Sequence, residues 1–202
     1  MHTKDNSTDK FFYKYFYALY KRGVISRDNV EVCAFGFQRF LIFLLNISTY
    51  IIIGLVFNML LESIIFILAY SPVRIFAGGY HAKSPVVCYL LGIPLFLSVL
   101  LLQHIAFEYS LFFIAAGIIA AIAIARIAPI ESPNKPLEDI EVRVYGKITK
   151  LLLRIELVLA LVLYLAGFVS AALAIMVPMI ILCGVLVVGR ANNEKEKTRT
   201  AI

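Results

Sequence analysis

Long apolar runs alternate with short polar breaks along most of this chain. Runs at residues 40–61, 86–107, 111–128, 151–168 and 171–188 are each about long enough to cross a bilayer as a helix. A shorter run at residues 64–76 contains Pro72 and Arg74. It reads either as a span beginning near Glu62 or as a re-entrant half-helix. Counting it gives six spans; omitting it gives five.

Charge placement favours six. All 19 Lys and Arg fall within residues 1–39, 74–85, 126–154 and 190–202, the segments on one side of a six-span arrangement. The loops on the other side, near residues 59–63, 103–110 and 167–170, contain none. Cytoplasmic loops of membrane proteins carry the excess of Lys and Arg. Both termini and the 74–85 and 126–154 segments are therefore expected in the cytoplasm. The predicted fold class is all-α: a polytopic membrane protein with about six transmembrane helices.

The first 34 residues form a separate element by pattern. Phe11, Phe12, Tyr13, Tyr15, Phe16, Tyr17 and Tyr20 interleave with Lys10, Lys14, Lys21 and Arg22. This density of aromatics and bases suits an amphipathic helix lying in the headgroup layer. It does not read as a cleaved signal, because Lys14 interrupts its apolar run and no small-residue cleavage site follows. The expected division is an interfacial segment at 1–34, a six-helix transmembrane domain at 35–190 and a cytoplasmic tail at 191–202. Between the fourth and fifth spans, Pro129, Pro133 and Pro136 make the chain irregular. Glu138, Asp139 and Glu141 then precede Arg143, Lys147 and Lys150, the order a helix dipole favours.

Composition agrees and removes several chemistries. The chain is 61% hydrophobic and 16% charged, outside the range of soluble domains. Three cysteines without a CxxC pair argue against a disulfide framework or a zinc site. Cys33 and Cys183 read as small core residues, and His104 as a residue of the outer headgroup layer. The sequence has no HExxH, no Gly-x-Ser-x-Gly and no P-loop, so no metalloprotease, serine protease or ATP-driven chemistry is expected. No metal or other cofactor is called for.

One short stretch carries chemistry. Gly78-Gly79, His81 and Cys88 lie together at the mouth of a span, flanked by Arg74 and Lys83. A thiol needs a base to act as a nucleophile at neutral pH, and imidazole suits that task. On one unbroken helix His81 and Cys88 would lie about 10.5 Å apart along the axis, too far for proton transfer. Ser84-Pro85, however, reads as an N-cap followed by proline at the first helical position. Cys88 then falls in the first turn, where the helix dipole favours a thiolate. The Gly-Gly pair lets the preceding loop fold back with His81. Arg74 either snorkels to phosphates, holds a substrate carboxylate or steadies charge at the scissile carbonyl.

The run Arg74…Ala77-Gly78-Gly79-Tyr80-His81-Ala82-Lys83-Ser84…Cys88-Tyr89 resembles the motif of the accessory gene regulator B (AgrB) family. Ala128-Pro129…Asn134-Lys135-Pro136-Leu137 resembles that family's second motif. The resemblance implies a quorum-sensing cysteine endopeptidase of the bacterial cell membrane. Its His81 acts as general base and its Cys88 as nucleophile, with Arg74, Gly78 and Gly79 in support. The implied substrate is a small AgrD-like propeptide. Its C-terminal part is cleaved off, and the acyl-enzyme passes to the peptide's own cysteine or serine to give a cyclic thiolactone or lactone. A homodimer in the lipid bilayer is implied, with no nucleic-acid partner. From the residues themselves, Lys135, Arg126 and Lys83 form a basic vestibule suited to an acidic peptide segment. Glu131, Asn134, Glu138 and Asp139 stay open as the group that orients His81. Glu156 is costly in a span unless paired or turned inward. The competing reading is a small peptide transporter without proteolysis, which would place ionisable residues deep within broken helices.

Overall fold

In the computed structural model, which describes residues 7–78, 85–130 and 138–200, the chain is helical. The described residues form α1 (Ser7–Lys21), a 3-10 turn (Arg27–Asn29), α2 (Val30–Val56), α3 (Leu60–Ala77), α4 (Pro85–Glu108), α5 (Ser110–Ile127), α6 (Asp139–Leu165) and α7 (Val169–Thr200). The chain divides into two compact units, Met1–Thr49 and Tyr50–Ile202, with the boundary inside α2.

In the first unit, α1 pairs with α2 through aromatics. Phe12 and Phe16, one turn apart, meet the ring of Phe37 edge-on at 5.9 and 5.7 Å. Tyr13 stacks on Tyr17, and the Lys21 ammonium lies over the Tyr17 ring. Phe11 and Tyr15 remain exposed. The helix stops at Gly23, whose φ of +72° closes the helix. Gly23 N–H donates to the Tyr20 carbonyl and Val24 N–H to that of Leu19, the paired bonds of a Schellman cap.

The second unit is built around α7. A helix that is apolar all round belongs inside. Residues 172–179 of α7 are all buried, and α3, α4, α5 and α6 all pack against it. A close approach to α7 uses Gly117 of α5: a Cβ there would lie 2.6 Å from the Met176 sulfur. Small residues let helices approach closely in lipid, where dispersion rather than water exclusion drives association. The outward faces of α4 and α5 carry exposed Leu90, Leu101, Ile105, Phe112 and Ile119, as a lipid-facing surface requires.

Five helical segments among the described residues are long and apolar enough to cross a membrane: Arg27–Val56, Leu60–Ala77, Val86–Glu108, Ser110–Ile127 and Val169–Glu194. The chain is thus a multi-pass membrane protein. The second of these settles the ambiguity at residues 64–76. It is one continuous helix of 18 residues despite Pro72, not a half-helix that turns back. At a rise of 1.5 Å per residue it measures about 27 Å, close to the hydrocarbon thickness. The sixth expected span lies in α6, whose last 18 residues include Lys150, Arg154 and Glu156. Those three charges keep it outside the purely apolar class. The polar stretch from residue 139 and the apolar one from 151 are a single helix. It starts with a capping box in which the Glu138 amide donates to Glu141 at 3.1 Å.

Tight turns join the helices at the end without basic residues. Asn58 adopts φ 54° after α2, a single residue (Tyr109) separates α4 from α5, and Gly167 takes φ 88° after α6. A polar clamp ties these turns together: Ser170 Oγ donates to Glu62 at 2.7 Å, and buried Gln103 donates to the Ser170 carbonyl at 2.8 Å. Such short turns make consecutive helices run in opposite directions. The other end therefore gathers the C-terminus of α3, the N-terminus of α4, the C-terminus of α5 and the N-terminus of α6.

Gly117→Val is expected to cost about 1–3 kcal/mol by overpacking against Met176, read as a lower thermal midpoint in detergent. Ile119→Ala, on the lipid-facing side, should leave that midpoint nearly unchanged.

Candidate active site

The site begins where α3 ends. Its C-cap, Gly78, has φ +74° and ψ −141°, a conformation that side chains rarely adopt. A Cβ at this position would also run into the Ile130 carbonyl. That closeness is a backbone pairing. Ile130 N–H donates to the Ala77 carbonyl at 2.9 Å, and Gly78 and Ile130 form an isolated parallel bridge. Ile130 itself is buried. The two motif segments, some fifty residues apart in sequence, are thus joined backbone to backbone.

Neighbouring packing holds both strands of the bridge. Ala128 N–H closes α5 by donating to the Ile124 carbonyl at 2.9 Å. Pro129 rides over Gly146 of α6, where a Cβ would sit 3.5 Å from the proline Cδ. Phe76 of α3 meets Tyr145 of α6 edge-on at 5.6 Å. Of the three roles open to Arg74, the structure displays a fourth: Nη1 donates to the Gly78 carbonyl, four residues on. A cation at a helix C-terminus also complements the dipole. The Tyr70 hydroxyl, one turn earlier on the same face, lies within hydrogen-bonding reach of this guanidinium.

Cys88 is the fourth residue of α4 and half-buried. Its position relative to Arg74 follows from register. Phe66 of α3 and Phe96 of α4 meet at 4.9 Å between ring centroids. Arg74 stands eight residues after the first, and Cys88 eight residues before the second. On antiparallel helices both therefore lie about 12 Å towards the same end, at one level. Tyr50 and Tyr70 both lie within electrostatic range of the Cys88 thiol. Their rings join the same cluster: Tyr50 touches Phe66 and Phe96 at 5.6 and 4.5 Å, and Tyr70 stacks on Phe66 at 4.9 Å.

Of the expected site, the structure joins Arg74 to Gly78 and sets Cys88 at the level of Arg74. His81, Gly79, Lys83 and Lys135 lie outside the described residues, as do the cap residue Ser84 and two candidate orienting groups, Glu131 and Asn134. The other two, Glu138 and Asp139, are exposed at the start of α6, and the Glu138 carboxylate is engaged in the capping box. Arg126 is exposed at the end of α5. All three cysteines are free and partly buried, and Cys183 packs against the core. No group of three or more His, Cys, Asp or Glu suited to a metal ion occurs among the described residues. Sequence reasoning passed over Tyr70 and Ile130. The spacing of Tyr70 and Arg74 was a usable signal; nothing in the sequence announced the pairing of Ile130.

A helical, multi-pass membrane protein with this paired-loop end defines the class. The accessory gene regulator B family profile matches residues 12–188, and the chain belongs to that family. Membership ties it to the accessory gene regulator system of quorum sensing. The chain is similar to AgrB-like protein 2 of Clostridium perfringens (strain 13 / Type A), with 30% identity over 118 residues. An AgrB-like protein of Clostridium perfringens (strain SM101 / Type A) matches to the same extent. Each match spans 55% of this chain and 55% of the relative, about half the length of either. No solved structure matches the chain.

Gly78→Ala is expected to lose about 1–3 kcal/mol, because a strained φ is combined with a blocked backbone approach. The checks are a lower thermal midpoint and faster hydrogen exchange at the Ile130 amide. Gly184→Ala, at a helical position with nothing within 4 Å of the new methyl, is the matched control and should show neither.

Proposed function

We propose that this chain is a membrane cysteine endopeptidase that removes the C-terminal part of a small AgrD-like propeptide. The observation that carries this reading is the position of Cys88 in the first turn of α4, at the level of Arg74 in the last turn of α3. Unpaired amide groups in a first helical turn favour negative charge, which suits a thiolate and the oxyanion it generates. His81, seven residues before Cys88, takes the thiol proton, and Sγ attacks the scissile carbonyl carbon. The tetrahedral intermediate collapses as the C–N bond breaks. His81 returns the proton to the leaving amine, and the peptide remains as a thioester on Cys88. The peptide's own cysteine thiol then attacks this thioester. A ring thioester forms, the bond to Cys88 breaks and the proton returns to the enzyme thiol. One thioester replaces another, so the exchange is nearly isoenergetic and needs no nucleotide.

Arg74 and Gly78 serve this reading as framework, holding the end of α3 against Ile130. Lys83, Lys135 and Arg126 supply the positive charge that draws in an acidic peptide segment. The distribution of Lys and Arg supports a cytoplasmic location for the site and both termini.

Mass spectrometry of the intact protein mixed with a candidate propeptide tests the mechanism. The expected result is a covalent adduct on Cys88 that disappears in Cys88→Ala and His81→Ala, with peptide cleavage lost and membrane insertion unchanged. Cleavage retained by Cys88→Ala would overturn the mechanism. A folded protein giving neither adduct nor shortened peptide with its correct partner would favour the transporter reading.

A further inference from the structure

Glu156 is the most deeply placed acidic group of the bundle, 8% exposed on α6. It stands two residues after Arg154, about 200° around the helix, which turns Arg154 outward and Glu156 inward. It has no salt bridge or hydrogen-bond partner among the described residues. Glu156 borders a cavity of about 10 Å³ together with Tyr70 and Val73 of α3 and Ile175, Pro178 and Met179 of α7. A space of this size holds about one water molecule if polar groups converge on it. Glu156 and Tyr70 are the lining residues whose side chains carry a carboxyl and a hydroxyl group. Pro178, which also lines it, has no N–H to donate to the Ala174 carbonyl one turn back. A buried acid is costly in a bundle unless a polar group or a water meets it.

Tyr70 connects this interior point to the site. Its ring is fixed by stacking on Phe66, and its hydroxyl reaches the guanidinium that donates to the Gly78 carbonyl. We propose that Tyr70 and Glu156 are positioning residues of the site. Glu156, across a cavity the size of one water at the Pro178 break, sets the Tyr70 hydroxyl. Tyr70 in turn holds Arg74 on the Gly78 carbonyl and so steadies the Ala77–Ile130 bridge. This deepens the endopeptidase reading and rests on it for its kinetic measurements alone.

The test uses the full-length protein in lipid nanodiscs and four variants: Tyr70→Phe, Glu156→Leu, the two combined, and Glu156→Gln. Hydrogen exchange is followed at the Ile130 amide, and adduct formation on Cys88 is followed with the propeptide. Tyr70→Phe and Glu156→Leu are each expected to speed exchange at Ile130 and slow adduct formation by about tenfold or more, since small misplacements near reacting groups have effects of that order. The double variant should be no worse than either single one, the mark of groups acting in one chain. Glu156→Gln, which keeps a polar group at the cavity, should restore most of both readouts.

Wild-type exchange at Ile130 in Tyr70→Phe, or additive losses in the double variant, would overturn the proposal. If Glu156→Leu does not fold, Tyr70→Phe and Glu156→Gln decide, because the phenyl ring keeps its stacking and the amide keeps its size. If the exchange pattern holds but wild-type protein forms no adduct, the positioning network stands and the endopeptidase reading falls. The reverse result, an adduct with unaltered exchange in the variants, leaves the enzyme and removes the network.

Discussion

A single backbone hydrogen bond, from the Ile130 amide to the Ala77 carbonyl, organises the functional end of this protein. At the rim of a bilayer an unpaired amide or carbonyl is expensive, so two chain segments that leave their helices together gain by pairing. The pairing demands a glycine at 78, because only a residue without Cβ both takes the required φ and admits the Ile130 carbonyl. It fixes the points from which residues 79–84 and 131–137 depart. Arg74 adds a charged donor to the Gly78 carbonyl, and Pro129 and Gly146 seat the opposite side on α6.

This arrangement needs rigid helices beneath it, and α7 supplies the rigidity. Its run of eight consecutive buried residues is possible because it is surrounded by α3, α4, α5 and α6. In lipid the gain comes from close packing and satisfied polar groups. Gly117 against Met176 provides the first. The Ser170, Glu62 and Gln103 clamp provides the second at the end remote from the site. The few polar groups that lie inside the bundle are consequently informative. Glu156 at the Pro178 break is the most conspicuous of them, and the aromatic cluster of Tyr50, Phe66, Tyr70 and Phe96 leads from that region towards Cys88.

Much of the architecture was legible in the chain. Proline after serine marked the start of α4 to the residue, because Pro85 suits a first helical turn and no later one. The acidic-to-basic order at 138–150 announced a helix for the same electrostatic reason. Less legible was the continuity of α6, where a polar half and an apolar half share one helix, so hydropathy alone assigned them to different elements. The 64–76 segment was ambiguous because Pro72 and Arg74 weaken its apolar signal, although a proline inside a spanning helix is tolerated when neighbours satisfy the freed carbonyl.

By itself the sequence determined the class of the protein, the start of α4 and the types of residue available for chemistry. Hydropathy and capping act locally, and charge sorts across a membrane by sign. It also carried the family motifs, from Arg74 to Cys88 and from Ala128 onwards. Only the tertiary structure decided that Ala77 and Ile130 pair, that Arg74 turns back on Gly78 and that Cys88 stands level with Arg74. The same holds for Glu156 and Tyr70, which share one cavity from separate helices. These contacts depend on the rotation and depth of each helix against its neighbours, and on loops that join distant segments. Such quantities arise from packing all the helices at once and have no counterpart in any local stretch of sequence.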